Sequence, residues 1–130
     1  MKEVDDSLEA LQEAFELGWY DVAHANNDPD LDNLRAQRPK EYAALTEVKW
    51  AWRINYGVFN DDIILTNNSA FALTDVELQV NIQNGQQQWA PKCEIEYLPP
   101  GATYTWENIV SVPNNSNTKT TATLVCDQTR

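Results

Sequence analysis

Glycine is scarce in this chain, with four among 130 residues, and they are too widely spaced to form a glycine-rich phosphate loop. One histidine and two cysteines are too few and too scattered for a zinc-type ligand set, so no metal or other cofactor is expected. No run of about 18 apolar residues is present, which excludes a membrane-spanning helix. The opening Met1–Ser7 lacks the apolar stretch of a signal peptide, so an exported form would have lost its export segment beforehand. Bases are few as well: nine against twenty acids give a formal charge of -11. Such a field repels phosphate backbones and anionic headgroups, so neither nucleic acid nor direct membrane insertion is expected.

The acids are concentrated at the start. Residues 1–47 carry twelve acids and four bases, whereas 48–130 carry eight and five, which places a boundary near residue 47. In the first part Leu8, Leu11, Phe15, Trp19 and Val22 step by three or four, an amphipathic helical stripe starting from an Asp6 or Ser7 cap and running to about Ala25. Asn26-Asn27-Asp28-Pro29 supplies a turn, and Pro29 and Pro39 start further short helices. Two or three short helices in an acidic segment are expected, packed on the remainder of the chain.

From Val48 the period is two. Val48, Trp50, Trp52, Ile54 and Tyr56 alternate with polar or small residues, and Val76, Leu78, Val80 and Ile82 do so again. Between them, Ile63–Thr66 forms a strand, Asn67-Asn68-Ser69 a turn, and Phe71-Ala72-Leu73 leads into the next strand. Asn84-Gly85 predicts a type I′ hairpin. Further strands are expected over Cys93–Tyr97, within Ala102–Val112 and over Thr120–Cys126. About six or seven short strands separated by turns define a mainly β chain, an antiparallel β-sandwich over 48–130 behind the helical segment 1–47.

Cys93 shares strand parity with Ile95, and Cys126 with Ala122 and Leu124, so both thiols point inward. They either stay free or pair across the sandwich. A Cys93–Cys126 disulfide would close a loop of roughly 34 residues, contribute about 3.8 kcal/mol, and place the chain in an oxidising compartment.

The stretch Phe71-Ala72-Leu73-Thr74-Asp75 resembles the name-giving Phe-x-Leu-Tyr-Asp pattern of the FxLYD-type domain, with Thr74 in place of tyrosine. Its surroundings agree: the Asn67-Asn68-Ser69 turn before it, an alternating strand after it, and Leu98-Pro99-Pro100-Gly101 ahead of Tyr104-Thr105-Trp106. The resemblance covers residues 48–126 and implies an immunoglobulin-like β-sandwich found mainly in bacterial extracytoplasmic proteins, where such domains act as non-catalytic accessory or interaction modules. Phe71 and Leu73 are expected to plug the end of the sandwich, and Asp75 to bond turn amides.

Catalytic groups do not assemble into a motif. His24 has no nucleophile pattern beside it and suits a helix C-terminus. Asp28-x-Asp30-x-Asp32 begins like a calcium loop, but Asn33 and Pro39 occupy the positions that need glycine and glutamate. Asn67 and Asn114 both start Asn-x-Ser glycosylation patterns. Trp89, in the polar run Gln86-Gln87-Gln88-Trp89, is expected to pack over the sheet edge, with an exposed indole that stacks on a sugar or anchors a protein as the alternative. With Gln87 it is the candidate binding pair. The expected function is thus a non-enzymatic protein-interaction or accessory module in an extracytoplasmic setting, with the cytoplasm as the alternative compartment. A carbohydrate-binding module using Trp89 is the alternative function. Unpaired outer strands would also offer edges to a second copy.

Overall fold

In a computed structural model, which describes residues 2–129, the acidic segment folds into four short helices. The first, α1 (Lys2–Glu16), ends earlier than the apolar stripe suggests. Gly18 adopts φ 108, and Gly18 N–H and Trp19 N–H reach back to the carbonyls of Phe15 (3.1 Å) and Ala14 (2.9 Å). This is a Schellman stop, which only glycine makes without strain. The stripe survives the break because Trp19 folds back and stacks on Phe15, ring centroids 5.7 Å apart. Asp21 then caps α2 (Val22–Asn27) by accepting from His24 N–H at 2.9 Å. Asp28 caps a 3-10 turn over Pro29–Leu31, which passes directly into α3 (Asp32–Gln37) and then α4 (Pro39–Thr46). The aspartates that begin like a calcium loop have other work: Asp28 caps, and Asp32 pairs with Arg35. The Arg35 guanidinium also donates to the Ala25 (2.5 Å) and Asp28 (2.7 Å) carbonyls and lies over the Tyr42 ring, which ties the short helices together.

Seven antiparallel strands come next: β1 (Trp50–Asn55), β2 (Asp61–Asn67), β3 (Leu73–Asn84), β4 (Gln87–Trp89), β5 (Lys92–Leu98), β6 (Thr103–Val110) and β7 (Thr118–Val125). One sheet has the order β1-β2-β6, and in the other β3 lies between β7 and the pair β4, β5. Ile82↔Trp89 and Gln79↔Lys92 keep one register, so β4 and β5 are a single strand interrupted at Ala90-Pro91, where proline cannot donate to the ladder. This division of strands is that of a β-sandwich, with β1, β2, β6 in one sheet and β3 at the heart of the other, where β7 forms an edge. Ile63 and Leu65 from the first sheet meet Val76, Leu78, Val80 and Ile82 from the second in the core.

Two local features depart from simple alternation. Leu73 is buried, yet so are Val76, Leu78, Val80 and Ile82, which have the opposite parity. Asp75 lies between them at φ 47 and resets the phase; aspartate is among the few non-glycine residues that enter this region readily. The hairpin after β3 is also shifted by one residue from expectation. Asn84 pairs with Gln87, so the turn residues are Gly85, at φ 62, and Gln86. Positive φ at the first turn position alone makes this type II′, not I′.

Asn67 is wholly buried and joins three parts of the chain. Its Nδ2 donates to the carbonyls of Phe71 (2.9 Å), Leu98 (3.0 Å) and Pro99 (3.2 Å), and its Oδ1 accepts from Ser69 N–H (2.9 Å). Ser69 Oγ in turn accepts from Lys49 N–H at 2.7 Å and donates to the Lys49 carbonyl at 3.1 Å. Asn67 is therefore closed to glycosylation in the folded chain, while Asn114 is exposed in a loop. Phe71, also wholly buried, carries this end of the sandwich onto α1 through Phe15, centroids 5.2 Å apart. Thr74, where the chain departs from the resemblance, secures the C-terminal turn. Its N–H donates to Gln128 Oε1 (2.9 Å) and its hydroxyl to Asp127 Oδ2 (2.8 Å). Replacing Asn67 by alanine strands several buried partners at once, so Asn67→Ala is expected to lower unfolding free energy by about 3 kcal/mol or more in denaturant titration.

The expected Cys93–Cys126 disulfide is absent; both are free, buried thiols. The inward orientation was right, but both thiols sit in the same sheet. Cys93 lies opposite Leu78 on one side of β3, and Cys126 comes after Val125, opposite Glu77, on the other. With β3 between them they stand at least two strand spacings, about 9.6 Å, apart, beyond the reach of a disulfide. The argument for an oxidising compartment from these cysteines falls with the bridge. Burial pushes the Cys93 thiol from 9.0 up to about 11. A thiol whose folded pKa is raised stabilises the fold below pH 9 and loses that contribution as pH climbs toward 11, roughly 2–3 kcal/mol in all. Iodoacetamide at pH 8 is expected to leave both thiols unmodified in the native chain and to label both, without reductant, in denaturant.

Candidate functional site

The two ends of the sandwich differ in chemistry. At one end the helical segment closes over the β2–β3 crossing, the end of β5 and the C-terminal turn, with Tyr20 edge-on to Tyr97. At the other end three connections are bare: Gly57–Asn60 between β1 and β2, Gly85-Gln86, and 111–117 between β6 and β7. The first carries Val58 and Phe59, which are 91% and 84% exposed, the two most exposed large apolar side chains among the described residues.

This tip is held from below. Asp61, 4% exposed, accepts from Gly57 N–H at 3.1 Å through one carboxylate oxygen and from Val112 N–H at 2.9 Å through the other. Ser111 Oγ donates to the Phe59 carbonyl at 2.9 Å. Opposite Asp61 and Ile63 the β2–β6 register shifts, and Asn108, at φ 53, donates its N–H to Asp62 Oδ1 at 2.8 Å. That bulge brings the start of the 111–117 connection against the tip. Gly57 is required because a Cβ there would stand 2.2 Å from the Asn60 carbonyl oxygen. Aspartate and glycine thus lock the backbone while valine and phenylalanine project from it.

Around the tip the surface is polar. Asn84 Nδ2 bridges to Asn115 Oδ1 (3.1 Å) and Thr118 Oγ1 (2.9 Å), and Asn115 Oδ1 also accepts from Asn117 N–H at 2.9 Å. Beside them lies a cleft of about 360 Å³ lined by Gln83, Asn84, Gly85, Ser116, Asn117 and Lys119. An apolar pair on a rigid support with a polar rim has the anatomy of a protein-docking anchor, in which a few apolar side chains enter a partner's pocket.

The residues singled out from sequence lie elsewhere. Trp89 is half-buried on β4, opposite Ile82, and packs against the core at the sheet edge. Gln87 is exposed at the pair that closes the hairpin. Phe71 and Leu73 are core plugs, and Asp75 is exposed at its phase-resetting position. None of these meets another in a shared site. A larger cleft of about 540 Å³ is bordered by Asp75, Glu77, Glu94, Glu96 and Tyr104. Its carboxylates spread along the outer side of β3 and β5, and among the described residues no three potential metal ligands come together. The signal for the Val58–Phe59 tip was present in the sequence as an apolar pair inside a turn, but sequence alone does not say whether such a pair plugs the core or leaves it.

Gly57→Ala is expected to push the Asn60 carbonyl aside and cost about 1–3 kcal/mol. Hydrogen exchange at residues 57–61 should rise while that in β3 stays unchanged. No family model, curated protein or solved structure matches the chain.

Proposed function

We propose that this chain is a non-catalytic interaction module that engages a protein partner through the loops farthest from its helical segment. The observation that carries this reading is the exposure of Val58 and Phe59 on a loop fixed by Asp61, Gly57 and Ser111. Leaving two such side chains in water forgoes about 3–6 kcal/mol that their burial would supply. A rigid support means that little further ordering is needed when they dock. The buried polar side chains of the sandwich support the same reading, since Asp61, Asn67, Ser69 and Thr74 all serve the fold. An extracytoplasmic setting now rests on the FxLYD-type resemblance alone.

A photo-crosslinking amino acid placed at position 59 in the source cells, with position 79 as the control, tests this directly. Adducts to one protein from position 59 and none from position 79 are expected. With that protein purified, Phe59→Ser should weaken binding by about tenfold or more while leaving stability within about 0.5 kcal/mol. Equal adducts from both positions, or full binding by Phe59→Ser, would overturn the reading.

A further inference from the structure

The four sheet edges are not equally protected. The edges of β5 and β6 cover one another, because Trp106 Nε1–H of β6 donates to the Glu94 carbonyl of β5 at 3.1 Å. The β4–β5 edge is also broken at Ala90-Pro91, and β6 carries the bulge at Asn108. The β1 edge is short and bears Lys49 and Arg53 on its outward row, which a twofold pairing would bring close to each other. The β7 edge has none of these devices. Its eight residues pair with β3 in one unbroken register, it contains no proline, and Lys119 is its only charge. In the immunoglobulin-like arrangement a further strand adjoins this one, and among the described residues that place is unfilled. A regular, nearly uncharged, threonine-rich edge is a template for strand addition.

We propose that this edge pairs with β7 of a second copy, antiparallel about a twofold axis at Ala122, to form one continuous sheet through both molecules. The register is set by charge. Glu77 stands opposite Val125, so Glu77, Val125, Thr123, Thr121 and Lys119 all lie on the outer face. An axis at Ala122 sets Thr121 opposite the partner's Thr123, and Lys119 opposite the partner's Val125. The strand beyond that valine presents the partner's Glu77 in line, about two strand spacings or 9.6 Å from Lys119 at the backbone. Extended lysine and glutamate side chains close that gap. On its other side Glu77 faces Glu94, a like charge directly opposite whose own cation is Lys92 at 3.2 Å, so Lys119 of the second copy is the cation placed for Glu77. An axis at Thr121 would instead align Lys119 with Gln79, so the ion pair selects the Ala122 register. The contact is isologous, and each dimer holds the Lys119–Glu77 pair twice. It is also an edge without acids in a chain whose charge of -11 opposes self-association elsewhere.

Sedimentation equilibrium of the intact chain, from low to high micromolar concentration, tests this independently of the Val58–Phe59 tip. A reversible monomer–dimer equilibrium is expected. Lys119→Glu and Glu77→Lys should each raise the dimer dissociation constant by about tenfold or more, and combining both should restore it. Lys119 is exposed, so at a concentration where both chains are monomeric the melting temperature should not move in the K119E variant. A chain that stays monomeric at every concentration, or a dimer indifferent to K119E, overturns the proposal. So does a monomer whose β7 edge instead takes up an extended segment of another protein.

Discussion

One buried amide holds distant parts of this fold together. Asn67 ties the β2–β3 crossing to the Leu98–Gly101 turn through three carbonyls, and Ser69 extends the tie to the backbone at Lys49 before β1. These segments are distant in sequence and come from both sheets. A wholly buried amide is tolerable only when every donor and acceptor is used, so the arrangement forms as a whole or not at all. Phe71 is placed by this knot, and Phe71 is what α1 packs on through Phe15. The helical segment thus depends on a polar contact it does not touch.

That knot also divides the molecule by chemistry. The end it organises is closed by acidic helices and by the Thr74–Asp127–Gln128 turn. The opposite end is organised by a second buried polar residue, Asp61, which fixes backbone but leaves its apolar neighbours Val58 and Phe59 in water. The two residues do the same work with different results, because the helices cover one end and no described residue covers the other. The sides of the sandwich differ likewise. Trp106 seals one, while β1 and β7 leave the other open.

Most of the fold was legible in the sequence because strand alternation is local. Val76, Leu78, Val80 and Ile82 announce their strand without reference to anything else, and the charge step near residue 47 marks where helices give way to sheets. The cysteines show the limit of that kind of reading. Parity correctly turned Cys93 and Cys126 inward, but whether they face each other depends on which strand lies between them, a matter of topology and not of parity. Trp89 shows it again: the polar run left edge packing and an exposed indole both open, and pairing with Ile82 decided for packing.

What the sequence determined alone was the set of elements: acidic helices first, then short antiparallel strands separated by turns, since periodicity and turn chemistry act over a few residues. What the tertiary structure decided was the fate of each exception to that pattern. Phe71 and Phe59 are both aromatic residues in or beside a turn, yet one is wholly buried and the other 84% exposed. Asn67 and Asn114 begin the same three-residue glycosylation pattern, yet one is the knot of the fold and the other lies in a loop. Burial belongs to the arrangement of distant segments around a residue, and no local pattern contains it.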